Sequence, residues 1–197
     1  MNKAVFFDRD GVLNESIRRF EEEYNQIMDC APVKVEDLKL KQNSKKIIDY
    51  IKDRGFKPII ITNQSDFLKK NIPLKNYEEI TKKICEELGI SRGQVFECLH
   101  KTGISLDCEC KKPKPGMILM AKGLFNIDIK NSWLIGDSWK DISAAFTAGI
   151  ENTIFLINER IDNVQEGNIK DIEIMKEKKI IPKFIIKDSL EIIDLIK

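Results

Sequence analysis

Two carboxylates one residue apart, Asp8 and Asp10, follow an apolar run over 4–7. The run is short enough for a buried strand and too short for a helix. An extended backbone places both carboxylates on one side, and Gly11 then lets the chain turn sharply. A bound cation would remove their mutual repulsion, and Mg²⁺ suits carboxylates that must leave room for a phosphate. A solvated acidic turn at the end of an edge strand explains this stretch alone equally well.

The two aspartates and a third one fit the chemistry of phosphoryl transfer. That reaction needs a nucleophile, a cation, further donors and an acid for the leaving oxygen. Asp8 can attack phosphorus and form an aspartyl phosphate. Asp10 can protonate the leaving oxygen and later deprotonate the attacking water. Asp137, at another predicted strand end, completes the predicted Mg²⁺ ligands with Asp8 and Asp10.

Donors for the phosphoryl oxygens come from two further stretches. Thr62 offers a hydroxyl, the Thr62–Asn63 turn offers backbone N–H groups, and Lys112 supplies positive charge. Each feature alone is weak, because a Thr-Asn pair is usually a turn and a lysine usually lies on the surface. Their order at successive strand ends favours phosphate chemistry. The predicted substrate-binding residues are Arg9, Asn14, Asn63, Gln64, Ser65, Lys111 and Ser138.

Three of the five cysteines enclose the single histidine of the chain. Cys98 and His100 are one residue apart, and Cys108 and Cys110 repeat that spacing. Three sulfurs and one nitrogen form a closed tetrahedral zinc set with no position open for water. We therefore predict a structural zinc that staples a loop over 98–110 and fixes the direction of Lys112, which follows it. Buried thiols beside a core histidine are the weaker alternative, because they give little packing reason for this spacing.

The elements that position these residues alternate between apolar runs and amphipathic stretches. The predicted strands are 4–7, 58–61, 132–135, 153–157 and 184–186. The predicted helices are 45–54, 77–88, 115–124, 141–148 and a last one capped by Asp188 or Ser189. This alternation predicts an α/β fold whose parallel sheet has helices on both faces, with ligands beyond the carboxyl ends of the strands. Residues 15–42 are predicted to form a charged excursion over the site, either helical or simply a solvated face, and 158–179 an irregular stretch.

Composition narrows the class of protein. With 197 residues and 42% hydrophobic content, the chain suits a single domain with a real core. A net charge of +1 gives no basic surface for nucleic acid or an anionic membrane. No apolar segment is long enough to cross a bilayer, and the early Asp8–Asp10 charges leave no room for a signal-peptide core. We expect a soluble, cytoplasmic protein, as a monomer.

Four spaced motifs resemble the haloacid dehalogenase superfamily. They are Asp8-Arg9-Asp10-Gly11, Thr62-Asn63-Gln64-Ser65, Lys112-Pro113 and Gly136-Asp137. The cysteine pattern together with the sequence over 111–117 resembles its small zinc-containing branch of heptose bisphosphate and histidinol-phosphate phosphatases. The resemblance spans about 3–156 and implies a Rossmann-like domain without a large cap and Mg²⁺-dependent hydrolysis of phosphomonoesters. It also implies that Asp141 supports Lys112 or the metal shell, and does not itself bind the metal.

Several positions depart from the branch, and they concern the substrate more than the chemistry. Asp66 and then lysines follow the second motif, where a glycine and an arginine-bearing loop are usual. Lys111 stands where an arginine is usual, and a lysine keeps the charge but cannot donate two parallel hydrogen bonds to one anionic group. Ser138 replaces a basic residue, and 15–42 lacks the usual substrate loop. The activity class is therefore predicted more firmly than the substrate.

The sequence favours a phosphatase acting on a small phosphorylated metabolite, and the favoured substrate is a heptose bisphosphate. Pro115-Gly116-Met117 favours the heptose compound over histidinol phosphate. A polynucleotide 3′-phosphatase is disfavoured by the charge balance and the zinc loop. A zinc-stapled binding domain without turnover is disfavoured because the catalytic residue types are all present.

Overall fold

A six-stranded parallel sheet organises the molecule. The computed structural model describes residues 1–22, 25–100, 108–158 and 164–197, without the side chains of 26, 68, 69 and 164–168. The main-sheet strands are β1 (Lys3–Phe7), β4 (Phe56–Asn63), β5 (Val95–Cys98), β6 (Trp133–Gly136), β7 (Asn152–Leu156) and β8 (Phe184–Ile186). Their order across the sheet is β5-β4-β1-β6-β7-β8. The helices are α1 (Ser44–Asp53), α2 (Asp66–Lys69), α3 (Leu74–Leu88), α4 (Gly116–Phe125), α5 (Trp139–Ala148), α6 (Val164–Glu177) and α7 (Glu191–Leu195). β2 (Ile17–Glu21) and β3 (Gln26–Cys30) form a separate antiparallel pair.

The central strand β1 is buried on both faces, as its unbroken apolar run predicts. Val5 and Phe7 contribute to one core cluster, whereas Ala4 and Phe6 contribute to the other. This alternation follows from the period of two along a strand. Helices cover both faces of the sheet, and the predicted α/β architecture is confirmed.

The position of β1 determines where the polar strand ends meet. β1 pairs with β4 on one side and with β6 on the other, and all three run parallel. Their carboxyl ends therefore lie at one edge of the sheet. Asp8, Thr62 and Asp137 come together there from distant parts of the chain.

β4 is longer than predicted and contains Pro58 as its third residue, not its first. A proline inside a central strand would normally cost a ladder hydrogen bond. On the β5 side, however, pairing begins only at Ile60 opposite Val95. Pro58 therefore lies beyond the end of β5, and its missing N–H leaves no gap in that ladder.

Two sequence-based expectations about connecting segments are wrong. The excursion over 15–42 contains the β2–β3 hairpin and a short 3-10 turn over Val35–Asp37 instead of an α-helix, with Arg18 opposite Asp29 across the strands. Part of the stretch predicted to be irregular forms α6. In the described ranges, every helix is too short or too polar to cross a bilayer.

Candidate active site

Three carboxylates form the centre of the site. Asp8 follows β1, Asp137 follows β6, and Asp141 lies in the first turn of α5. One oxygen from each lies within 4.8 Å of the others. Hard oxygen donors gathered in this way suit Mg²⁺. Gly11, with φ of +85°, lies so close that a Cβ there would overlap the Asp137 carboxylate.

Lys112 is the counter-charge of this cluster. Its Nζ lies 2.7 Å from Asp8 Oδ1 and 2.6 Å from Asp141 Oδ1, and it donates to the Ile61 carbonyl at 3.0 Å. Only 4% of its side chain is exposed. Burial opposes the charge on Lys112, but Asp141 and Asp8 outweigh burial and raise its pKa. Lys112 therefore stays protonated beside the carboxylate predicted to be the nucleophile.

One lysine does not neutralise three buried carboxylates. Burial raises the pKa of Asp8 to about 7, with Lys112 opposing the shift and Asp141 adding to it. Burial also raises the pKa of Asp137 well above its usual value, and the charges on Asp8 and Asp141 add to that effect. A divalent cation would supply the missing positive charge, so the residues present fit Mg²⁺.

The Asp10 carboxylate is not among the three carboxylates of this cluster, and its role as a metal ligand stays a prediction. Arg9 donates to both Asp10 oxygens through Nε and Nη2 at 3.0–3.2 Å. Asn14 donates to Oδ1 at 2.9 Å and Gln64 to Oδ2 at 2.5 Å. These donors fix the position of the Asp10 carboxylate. Asp10 still lines the same cleft as Asp8.

Three predicted substrate-binding residues are buried beneath Asp10. Arg9 and Gln64 are each 1% exposed and Asn14 is fully buried. The Arg9 guanidinium also lies 5.8 Å from the centre of the Tyr77 ring. Neither Arg9 nor Asn14 is among the described residues that line the cleft, and their role in substrate binding stays a prediction. Their polar groups are directed inward to hold Asp10.

Asn63 was also predicted to bind substrate, but in the structure its side chain forms hydrogen bonds with the protein backbone. Its Oδ1 accepts the Lys112 N–H and its Nδ2 donates to the Lys112 carbonyl, both at 3.0 Å. This pair of bonds joins the end of β4 to the backbone of Lys112. The Asn63 side chain therefore positions the lysine.

The remaining predicted substrate residues do line the cleft. Lys111 Nζ donates to Ser65 Oγ at 3.2 Å, which places two of them side by side. Ser138 is the N-cap of α5, where its Oγ accepts the Lys140 N–H and its own N–H donates to Asp141. Ser138 thereby fixes the direction of Asp141 as well as lining the cleft.

The cleft has a volume of about 470 Å³, and the β2–β3 hairpin forms one of its walls. Lys70 of the loop after α2 contacts Glu21 of β2 at 2.5 Å, and Glu21 also accepts from Cys30 at 3.2 Å. These contacts hold the hairpin against the segment that follows β4. The hairpin residues lining the cleft are Glu21, Met28, Asp29 and Cys30.

Sequence reasoning missed Asn158, which follows β7 at the same edge of the sheet. Its Nδ2 donates to Asp137 Oδ2 at 2.7 Å, and its Oδ1 accepts from Lys41. The signal that identified Asp8 and Asp137, a polar residue just beyond a strand, also applies to Asn158. Asp171 of α6 also lines the cleft and accepts the Trp139 N–H, and no local signal indicated it.

The predicted zinc ligands lie together. Each of Cys98, His100, Cys108 and Cys110 offers a ligand atom within 4.8 Å of the others. The sulfurs of Cys108 and Cys110 are 2.9 Å apart, and His100 Nδ1 is 3.1 Å from Cys108 Sγ. Burial opposes ionisation of Cys108, but hydrogen bonds with its cysteine neighbours lower its pKa to about 7. This donor set fits zinc; residues 101–107 of the predicted loop lie outside the described residues.

The cysteine–histidine cluster is joined directly to α4. Gly116 donates its N–H to the carbonyl of Glu109, the residue between two of the cysteines, at 3.0 Å. A Cβ at position 116 would overlap that carbonyl. The segment carrying Lys112 is therefore held between the cysteine cluster and the start of α4.

Known proteins match the chain at the level of family and fold. The model of haloacid dehalogenase-like hydrolases matches residues 18–149, a range that contains Thr62, Lys112 and Asp137 but not Asp8. A D-glycero-beta-D-manno-heptose-1,7-bisphosphate 7-phosphatase of Helicobacter pylori is 32% identical over 79% of this chain and 84% of its own. The corresponding D-glycero-alpha-D-manno enzyme of Campylobacter jejuni is 32% identical over 90% of this chain and 98% of its own.

A solved structure supports the same fold. The D,D-heptose 1,7-bisphosphate phosphatase of B. bronchiseptica, complexed with magnesium and phosphate, superposes with a TM-score of 0.72 at 23% identity. The match covers 98% of this chain and 96% of that one, and at this identity it establishes the fold alone. From the family model and the sequence relatives, the chain belongs to the haloacid dehalogenase-like hydrolases.

Proposed function

We propose that the chain is a Mg²⁺-dependent phosphomonoesterase that removes the 7-phosphate of D-glycero-D-manno-heptose 1,7-bisphosphate. The observation that carries this proposal is the position of Asp8 at the tip of the central strand. It lies 2.7 Å from the Lys112 ammonium and within 4.8 Å of the two other carboxylates of the cluster. The names of the relatives that match most of the chain support the choice of substrate.

In the proposed reaction Asp8 attacks the phosphorus of the 7-phosphate. The bond from phosphorus to the sugar oxygen breaks while an Asp8 oxygen bonds to phosphorus. Asp10 gives its proton to the departing sugar oxygen. It then takes a proton from water, whose oxygen attacks the aspartyl phosphate to release phosphate and restore Asp8.

Asp8, Asp137 and Asp141 are the residues that would hold Mg²⁺. Bound there, the cation would offset negative charge on the phosphoryl oxygens. Asn158 fixes the Asp137 carboxylate, and Ser138 fixes that of Asp141. Thr62 and Lys112 are proposed to contact the phosphoryl oxygens, with Lys112 held in place by Asn63.

The rest of the substrate would meet the wall formed by the hairpin and the pair Lys111–Ser65. Zinc held by Cys98, His100, Cys108 and Cys110 would fix the chain that leads to Lys111 and Lys112. We propose that the whole chain forms one such phosphatase domain. A cytoplasmic, monomeric enzyme remains our prediction from its composition.

A substrate panel tests the proposal. The zinc-loaded protein is assayed for phosphate release from both anomers of the heptose bisphosphate, from histidinol phosphate and from a 3′-phosphorylated oligonucleotide. We expect turnover of a heptose bisphosphate only when Mg²⁺ is added, and product analysis should show loss of the 7-phosphate. A preference for histidinol phosphate would replace the substrate but keep the reaction. No turnover across a wide range of phosphomonoesters would contradict the enzyme proposal.

A further inference from the structure

The buried amide of Gln64 contacts two groups that the proposed reaction uses in different ways. Its Nε2 lies 2.5 Å from Asp10 Oδ2 and 2.8 Å from Thr62 Oγ1. Gln64 follows β4, and its backbone N–H donates to the Cys98 carbonyl at 2.8 Å. The backbone and the side chain of Gln64 are therefore both fixed.

The hydrogen bonds of this amide have a defined direction. An amide nitrogen carries two protons and accepts none, so Gln64 can donate one proton to Asp10 and the other to Thr62. Gln64 Oε1 is buried and has no partner among the described residues. Exchanging nitrogen and oxygen would place the carbonyl oxygen against the Asp10 carboxylate, which would be repulsive. The two contacts thus outweigh the cost of one unpaired acceptor.

Donation to Thr62 orients the threonine hydroxyl. The Thr62 oxygen accepts the Gln64 proton, so its own single proton must point elsewhere. Thr62 is 1% exposed and lines the cleft, where that proton is available to a phosphoryl oxygen. A free hydroxyl would have to give up its rotational freedom when the substrate binds.

Donation to Asp10 completes a set of donors around one carboxylate. Arg9 donates to both Asp10 oxygens. Asn14 donates to Oδ1 and also to the Glu15 carbonyl, the latter at 2.9 Å. Gln64 is the member of this set that comes from a different strand end. It therefore fixes Asp10 relative to β4 and to the phosphate-binding hydroxyl.

We infer that Gln64 is a positioning residue that aligns the proton-transfer group Asp10 with the phosphoryl-binding group Thr62, and that Arg9 and Asn14 complete the support of Asp10. The inference rests on the proposed function, because it takes the roles of Asp10 and Thr62 from that reaction. It replaces the prediction that Gln64 binds the substrate. Positioning affects the chemical steps, whereas a binding role would affect substrate affinity.

The test uses Gln64→Glu and Gln64→Met, which both keep the length of the side chain and remove the two donated protons. The probe is p-nitrophenyl phosphate, whose leaving group needs no proton, so formation of the aspartyl phosphate no longer depends on Asp10. Hydrolysis of that intermediate still requires Asp10 as a base. We expect kcat to fall about 10- to 100-fold, since general acid–base catalysis contributes at least that much. Because the hydrolysis step slows while formation of the aspartyl phosphate is spared, KM should fall together with kcat, and kcat/KM should stay within about threefold of that of the unaltered protein.

Rapid-mixing measurements add a readout that a general loss of structure would not produce. In both variants the initial release of p-nitrophenolate should be larger relative to the steady rate than in the unaltered protein. The exposed Gln42→Glu is the matched control and should leave all these values unchanged.

The outcomes separate this inference from the proposed function. A raised KM with kcat intact, or no change in kcat, would overturn the positioning role while leaving the phosphatase proposal in place. Failure of the unaltered protein to hydrolyse any phosphomonoester would overturn both. Thermal melting checks the fold of each variant, and if Gln64→Glu does not fold, Gln64→Met supplies the same measurements without burying a charge.

Discussion

Asp8 combines a short contact to a lysine with burial beside other carboxylates. Only 15% of its side chain is exposed, and its Oδ1 accepts the Arg9 backbone N–H at 2.7 Å. The carboxylate is therefore fixed in direction but costly to ionise without a cation. Both properties suit a nucleophile that becomes fully active when the metal binds.

We predict that Asp8→Asn lowers kcat by at least about 1,000-fold, because the amide cannot form the aspartyl phosphate. The same change should leave the fold intact and keep or raise the melting temperature, since it removes one of several buried like charges. Steady-state phosphate release and thermal melting are the measurements. Asp53→Asn, at an exposed position of α1, is the control. More than about 1% residual activity would contradict the nucleophile assignment.

At the level of single residues, the sequence predicted which types lie at the sheet edge but not where each side chain points. Asp8, Thr62 and Asp137 were found because each follows an apolar run. Arg9 follows the same run, yet its side chain is buried against Tyr77. Its partner lies on a helix about seventy positions away, and no local pattern indicates such a contact. The direction of the Arg9 side chain was therefore not predictable.

At the level of elements, α4 and the cysteine cluster depend on each other through one close approach. α4 begins at Gly116, whose N–H donates to the Glu109 carbonyl, and Lys112 lies between the cysteine cluster and the helix. A displacement of this contact would shift the lysine backbone. The helix start is thus part of the support of the active site.

We predict that Gly116→Ala destabilises the protein by about 1–3 kcal/mol, because its Cβ would overlap the Glu109 carbonyl. It should also weaken zinc retention and lower kcat by displacing Lys112. Gly123→Ala in the same helix is the matched control, because nothing lies within 4 Å of a Cβ there. The control should be neutral or stabilise by up to about 1 kcal/mol. Zinc release to a chelator and denaturant unfolding measure the effects. Equal zinc release in both variants would contradict the proposed dependence of zinc retention on the contact between Gly116 and Glu109.

The elements that the sequence predicted well carry their own boundary signals. α5 begins after the cap Ser138 and ends at Gly149, which has φ of +88°. α6 was missed because charged residues obscure its period, and of Ile169, Ile172 and Met175 only Met175 is buried. The β2–β3 hairpin was missed because its strands are charged and, among the described residues, form a two-stranded sheet apart from the main one, so no apolar run marks them.

At the level of the whole molecule, the carboxylate cluster links folding to pH and to metal. The pKa of Asp8 rises from 3.8 to about 7 in the folded protein, and that of Asp137 rises as well. The folded state then binds more protons than the unfolded state between those values, so this contribution to stability decreases as pH rises. It is fully present below about pH 4 and lost above about pH 7.

We predict that Mg²⁺ raises the melting temperature more at pH 8 than at pH 5, because protons compete with the cation for Asp8 and Asp137. Melting is measured with and without added Mg²⁺, with zinc retained in all samples. Asp137→Asn should reduce the Mg²⁺ effect at pH 8. An equal Mg²⁺ effect at both pH values would contradict this assignment of the metal ligands.

The parallel strand order was predictable in outline, because alternating strands and helices require a covered sheet. The sequence did not specify that β1 lies between β4 and β6, since strand order depends on contacts between distant segments. That central position brings the polar ends of both neighbours to Asp8. The convergence of these ends is a consequence of topology.

The space at Gly11 has a consequence for comparing this chain with uncharacterised ones. A larger residue there would both strain the turn and displace the Asp137 carboxylate, so any substitution at this position carries two separate structural costs. A protein of this fold with a bulky residue at the equivalent place should have an altered or vanished magnesium pocket. The identity of that single turn residue can thus help separate working hydrolases from inactive descendants in sequence surveys.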